Sequence, residues 1–103
     1  MGRKQRNRGN QYTIEERFKY HTERDTACGK FGLEFGSPKH TYSSGFRDAF
    51  MNIDNRSGVR SEFGAKSARA YSSGHARGEK AAREYFDKTG KQPSELTKYN
   101  WVK

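Results

Sequence analysis

Aliphatic side chains are scarce in this sequence: Leu, Ile and Val contribute two residues each to a chain of 103. With seven Phe they make 13 positions, which beside a net charge of +9 falls in the compositional range of disordered chains. A large aliphatic core is therefore excluded, and whatever core forms must be built from aromatic rings, which bury far more area per residue. No apolar run approaches the length of a membrane span or a signal-peptide core, so no membrane partner is expected. One cysteine, Cys28, excludes an internal disulfide and a cysteine-based zinc centre, and suits a reducing, cytoplasmic setting. A glycine-rich phosphate loop, a nucleophile elbow and paired catalytic carboxylates are all missing. No catalytic residue, metal site or cofactor is assigned, and the chain is not read as an enzyme. His21, Asp25 and Cys28 recur at i, i+4 and i+7, but three ligand types at helical spacing arise easily by chance.

What is abundant is positive charge, 21 Lys and Arg against 12 Asp and Glu. Such a surplus on a short chain favours polyanions: nucleic acid first, then an anionic membrane surface or an acidic protein. The excess is unevenly placed. Residues 1–10 hold four basic groups and no acid, whereas residues 11–55 hold six basic and seven acidic groups. From there Arg56, Arg60, Lys66, Arg69, Arg77, Lys80 and Arg83 face only Glu62 and Glu79. Arginine dominates this stretch, and its planar fork matches phosphate better than a lysine ammonium does.

Three divisions follow: a basic arm over residues 1–12, a helical domain over 13–90 and a tail over 91–103. The arm cannot bury enough apolar surface to order itself. Thr13-Ile14-Glu15-Glu16 reads as a capping box opening the first helix, with Glu15 and Lys19 placed to pair. Ile14, Phe18, Tyr20, Ala27, Phe31 and Phe35 form a drifting apolar stripe, with a break expected near residues 25–30. Ser37-Pro38 opens the second helix, whose Tyr42, Phe46, Ala49, Phe50 and Ile53 share a face. A third helix is predicted from about Ser61 to Lys88, stopped by Gly90, with Phe63, Tyr71, Gly74, Gly78, Ala81, Ala82 and Tyr85 on one side. Pairs Glu79–Arg83 and Glu84–Lys88 are expected on its surface. Gly74, Gly78 and Ala82 form a ridge of small residues suited to close helix packing. The fold class is all-α.

An internal echo cuts across these helices. Glu34-Phe35-Gly36 followed by Tyr42-Ser43-Ser44-Gly45 resembles Glu62-Phe63-Gly64 followed by Tyr71-Ser72-Ser73-Gly74, with one residue of slippage. Two similar helical units packed together are the simplest outcome.

The segment Tyr42-Ser43-Ser44-Gly45-Phe46-Arg47-Asp48-Ala49-Phe50 resembles the end of the bacterial ribosome modulation factor family, which carries an aromatic residue, a Gly, a second aromatic and a basic-acidic-Ala run. Ala27-Cys28-Gly29-Lys30-Phe31-Gly32-Leu33-Glu34-Phe35-Gly36 is similar to its Gly-punctuated helix, and Pro38 to its interhelical proline. The basic start is similar too. The resemblance spans roughly residues 17–51, with a partial second copy near 62–82; the chain is about twice the family's length and lacks its Cys-Pro-Tyr junction. It implies contact with small-subunit ribosomal RNA and suppression of translation.

The residues therefore point to a nucleic-acid-binding protein, with structured RNA or the ribosome ahead of DNA. The expected contacts are Arg3, Lys4, Arg6 and Arg8 in the arm and Arg56, Arg60, Lys66, Arg69, Tyr71, His75, Arg77, Lys80 and Arg83 in the domain. Tyr42, Tyr71, Tyr85, Tyr99 and Trp101 are candidates for stacking on unpaired bases, His40 and His75 for phosphate, and most Phe for the core. The competing class is an accessory or viral regulator that docks on an acidic surface of a host protein.

Overall fold

A computed structural model describes residues 12–98. Its elements are all helical: α1 (Ile14–Thr26), α2 (Pro38–Phe50), α3 (Arg56–Phe63) and α4 (Ala65–Thr89), with 3-10 turns at Cys28–Phe31 and Pro93–Lys98. No helix among the described residues is long and apolar enough to cross a membrane.

The cap signals act as their chemistry requires. Glu16 N–H donates to Thr13 Oγ1 at 3.0 Å while Thr13 N–H donates to Glu16 Oε1 at 2.8 Å, closing the capping box. Ser37 Oγ accepts from His40 N–H, with Pro38 in the first turn. Gly90, left-handed at φ 74°, ends α4. The expected break after α1 falls at Ala27.

The predicted third helix is broken near its start, and helix begins earlier than expected, at Arg56 and not near Ser61. Gly64 takes φ +97°, a conformation that L side chains rarely adopt, and divides the span into α3 and α4. Its counterpart in the sequence echo, Gly36, also lies at positive φ, +82°. Two of the expected surface pairs are replaced as well. Lys19 pairs with Glu23 at 3.3 Å, not with Glu15, and Glu79 lies 3.8 Å from His75, not beside Arg83. Glu84 and Lys88 meet as predicted, at 3.4 Å.

The echo turns out to be the axis of the fold. A Cβ on Gly74 would strike the backbone carbonyl of Tyr42, one on Gly45 that of Tyr71, and one on Gly78 that of Phe46. Tyr42 thus faces Gly74, and Phe46, one turn on, faces Gly78, so α2 and α4 advance in the same direction. The two Tyr-Ser-Ser-Gly tetrapeptides lie against each other, each glycine seated on the other's tyrosine backbone. Exchanging the copies maps one contact onto the other, which gives the pair a local two-fold pseudo-symmetry. The second shared motif meets too: the rings of Phe35 and Phe63 stand edge to face at 5.3 Å.

Around this pair the apolar residues form two clusters. Ile14, Phe18, Phe46, Phe50, Ala81, Ala82, Tyr85 and Leu96 join α1, α2, α4 and the tail, with Phe18 and Phe50 at 4.8 Å. Val59, Ala68 and Tyr71, with Phe63 against them, fix α3 to α4. Of the Phe residues assigned to the core, Phe18, Phe46 and Phe50 are buried and Phe63 partly so, whereas Phe31, Phe35 and Phe86 are exposed. Ile53, expected on the α2 face, is exposed beyond the end of that helix.

Candidate nucleic-acid interface

The side of α4 that faces away from α2 carries the charge. At 100° per residue, Lys66, Arg69, Arg77 and Lys80 fall within about 80° of arc and span roughly 21 Å of helix axis. All four are exposed, and Arg83 is exposed at the edge of the same stripe. None of these five, nor Arg60, has an ion-pair partner among the described residues. The stripe ends where Glu84 meets Arg17 at 3.7 Å and Lys88. Asp87 gives the last turn of that face an opposite charge. Arg56 and Arg60 lie exposed on α3, but Arg56 is paired with Asp54 at 3.0 Å. Arg3, Lys4, Arg6, Arg8, Tyr99 and Trp101 lie outside the described residues.

Tyr71 and His75 do not belong to this face, which corrects the sequence assignment. Tyr71 is 1% exposed; its hydroxyl donates to Asp48 Oδ2 at 2.6 Å and accepts from Asn55 N–H at 2.9 Å. Burial pushes its phenol well above the ordinary range, and the Asp48 hydrogen bond adds to the effect. Burial likewise raises the Asp48 carboxyl, against the opposing pull of the Tyr71 hydrogen bond. His75 is buried, stacked on Tyr71, with Nε2 2.7 Å from Ile53 O. His40, expected to suit phosphate, is buried too: Nδ1 accepts from Gly36 N–H at 2.9 Å, and Nε2 lies 3.1 Å from Asp25 O. Tyr85 is a core residue. In each case the residue type permitted a surface role, and packing against an element distant in sequence removed it. His21, Asp25 and Cys28 do not come together either. Asp25 turns to Ser44, His40 and Arg47, and no group of three His, Cys, Asp or Glu among the described residues could hold a metal ion.

A second surface, made by α1 and its following turn, was not assigned from the sequence. Tyr20 is 51% and Phe31 40% exposed, and the Arg24 guanidinium carbon lies 3.6 Å from one ring centroid and 4.2 Å from the other. The i, i+4 spacing of Tyr20 and Arg24 was visible in the sequence, but Phe31 joins them only because the chain turns at Ala27. This cluster opens onto a cavity of about 590 Å³ whose lining includes Lys39, Tyr42 and Ala70. A second depression lies between the start of α1 and α4, lined by Arg17, Arg77, Lys80 and Lys88 and by the carboxylates Glu15 and Glu84. The two depressions share His21 and Tyr42, so the aromatic cluster and the Arg77–Lys80 part of α4 lie on either side of these two residues.

His21 forms the seam. Its Nδ1 lies 2.8 Å from Ser43 Oγ and its ring 4.3 Å from that of Phe46. Burial first, then the charges of Arg24 and Arg17, hold its pKa down at about 4, so the ring is neutral at physiological pH. The cationic surface therefore consists of permanent Arg and Lys charges. Comparison with known proteins finds no matching family model, no matching curated sequence and no matching solved structure.

Proposed function

We propose that this protein binds structured RNA, with the exposed stripe of α4 as its phosphate-binding face and the basic arm as a second contact. The observation that carries this is the set of Lys66, Arg69, Arg77 and Lys80 on one side of a 25-residue helix, exposed and without acidic partners. Unpaired cations on a rigid helix contribute free energy when they meet phosphates, because condensed counterions are released and no existing ion pair is broken. Arg83 flanks the stripe, and Arg60 extends the same charge sign onto α3. An all-α domain with a rigid helical spine is suited to holding such a row in register. Occupation of ribosomal RNA, with suppression of translation, is the specific role that the resemblance to the ribosome modulation factor family implies.

Affinity capture of the tagged full chain from lysate, split into nuclease-treated and untreated halves, tests the reading. Ribosomal RNA in the untreated half, lost with its co-purifying proteins after nuclease, is the expected result. A single protein partner that survives nuclease would overturn it in favour of docking on an acidic host protein, and recovery of DNA alone would move the assignment from RNA to DNA.

A further inference from the structure

The cations of α4 address the backbone of a nucleic acid, and phosphate contacts of that kind position a strand without engaging its bases. We propose that the cluster of Tyr20, Arg24 and Phe31, with Tyr42 and Lys39 beside it, is a stacking subsite for an unpaired run of nucleotides continuous with the α4 phosphate face. The inference deepens the RNA-binding reading and rests on it.

Four observations carry it. Tyr20 and Phe31 are about half-exposed rings in a chain that has few apolar residues to spare, and neither joins a core cluster. Both rings already hold a planar cation, the Arg24 guanidinium carbon lying 3.6 Å from the Tyr20 centroid and 4.2 Å from that of Phe31. A nucleobase is a planar group of the same thickness, and ring–base stacking tolerates any base because every base has a π face. Arg24 can then hold the stack or turn outward to the adjoining phosphate, both of which are arginine roles. On its Lys39 side the cluster faces Arg24 and Lys39 and no carboxylate, whereas its other side borders Glu16 and Glu23, the latter paired with Lys19, so an anionic strand is placed on the Lys39 side. Finally, the cavity and the α4 depression share Tyr42 and His21, so a strand whose bases occupy the ring cluster has Arg77 and Lys80 on the other side of these two residues.

The test compares two probes on the full chain: an oligouridine of roughly a dozen nucleotides and an RNA duplex of the same length, both followed by fluorescence anisotropy. In the double variant Tyr20→Ala, Phe31→Ala, oligouridine affinity is expected to fall about ten-fold or more while duplex affinity stays unchanged. Tyr20→Phe, which keeps the ring, is expected to bind oligouridine like the parent chain. Unchanged oligouridine affinity in the double variant, or equal loss on both probes with unaltered helical circular dichroism, overturns the subsite. A parent chain that binds neither probe refutes the RNA-binding reading itself, and does so before any variant is compared. A chain that binds the duplex but ignores the ring substitutions refutes the subsite alone.

Discussion

Glycines 74 and 45 show how one hydrogen atom in place of a methyl sets the fold. Alanine in a helix is favoured over glycine by roughly 0.5–1 kcal/mol, so propensity alone would make Gly74→Ala stabilising. The new Cβ, however, would strike the Tyr42 carbonyl, and backbone cannot swing aside as a side-chain tip can. Overpacking of this kind costs about 1–3 kcal/mol or more. Gly74→Ala and Gly45→Ala are therefore expected to lower the thermal midpoint, while Gly29→Ala, which meets nothing within 4 Å, leaves it near the parent value. Thermal melts followed by circular dichroism decide the matter. Tyr71→Phe makes a comparable case: it strips the partly buried Asp48 carboxylate and the Asn55 N–H of their shared hydroxyl, at an expected cost of about 1 kcal/mol.

His21 contributes a pH dependence whose sign is fixed by its environment. Its folded pKa of about 4 lies below the ordinary 6.5, so the unfolded chain binds the proton more readily. Its stabilising effect is complete above pH 6.5 and is lost as pH falls from there toward 4. Asp48, raised by burial, acts in the opposite sense, since its folded form holds a proton more tightly and that contribution weakens as pH rises above its ordinary value of 3.8. The His21→Gln variant is expected to lose the rise in stability with pH that His21 contributes between 4 and 6.5, measured by urea titration at each pH. A profile as steep as the parent's would mean that another group dominates that window.

At the scale of elements, the signals that were legible are the local ones. The capping box at Thr13, the Ser37-Pro38 start and the Gly90 stop each depend on residues within a few positions, and each helix end appears where those residues require. The stripe of small residues on α4 was also legible, because three of them at four-residue spacing have little use except close approach. What was not legible depends on partners distant in sequence. Nothing between Ser61 and Lys88 breaks the apolar periodicity, and a single glycine inside such a pattern does not by itself say that the chain leaves the helix there, as it does at Gly64. Tyr71, His75 and His40 read as surface residues because His and Tyr are at home in either place; α2 and the loop after it cover the first two, and the end of α1 with the Gly36 turn covers His40. The cluster of Tyr20, Arg24 and Phe31 escaped for the converse reason: its members straddle the end of α1, and helical spacing says nothing across a break.

For the molecule as a whole, the thin aliphatic complement is offset by aromatic rings and by backbone contact between the parallel helices α2 and α4. That pairing also disposes the charge. With the inner face of α4 committed to α2 through Gly74 and Gly78, its outer face is left for Lys66, Arg69, Arg77 and Lys80, and the scaffold holds the row straight. Arg69 and Arg77 are expected to contribute more to affinity than Arg56, which must first release Asp54; the variants Arg69→Gln and Arg56→Gln, titrated side by side with the RNA duplex, check that order.

The most direct measurement is the affinity of the full chain for an RNA duplex across a series of salt concentrations, beside a variant with Lys66, Arg69, Arg77 and Lys80 all changed to Gln. If the stripe is the phosphate-binding face, the parent chain loses affinity steeply with salt, and the variant binds more weakly with a slope of log affinity against log salt smaller by roughly 3–4. An unchanged slope in a variant whose helical content and melting temperature match the parent's would contradict the assignment of α4 as that face.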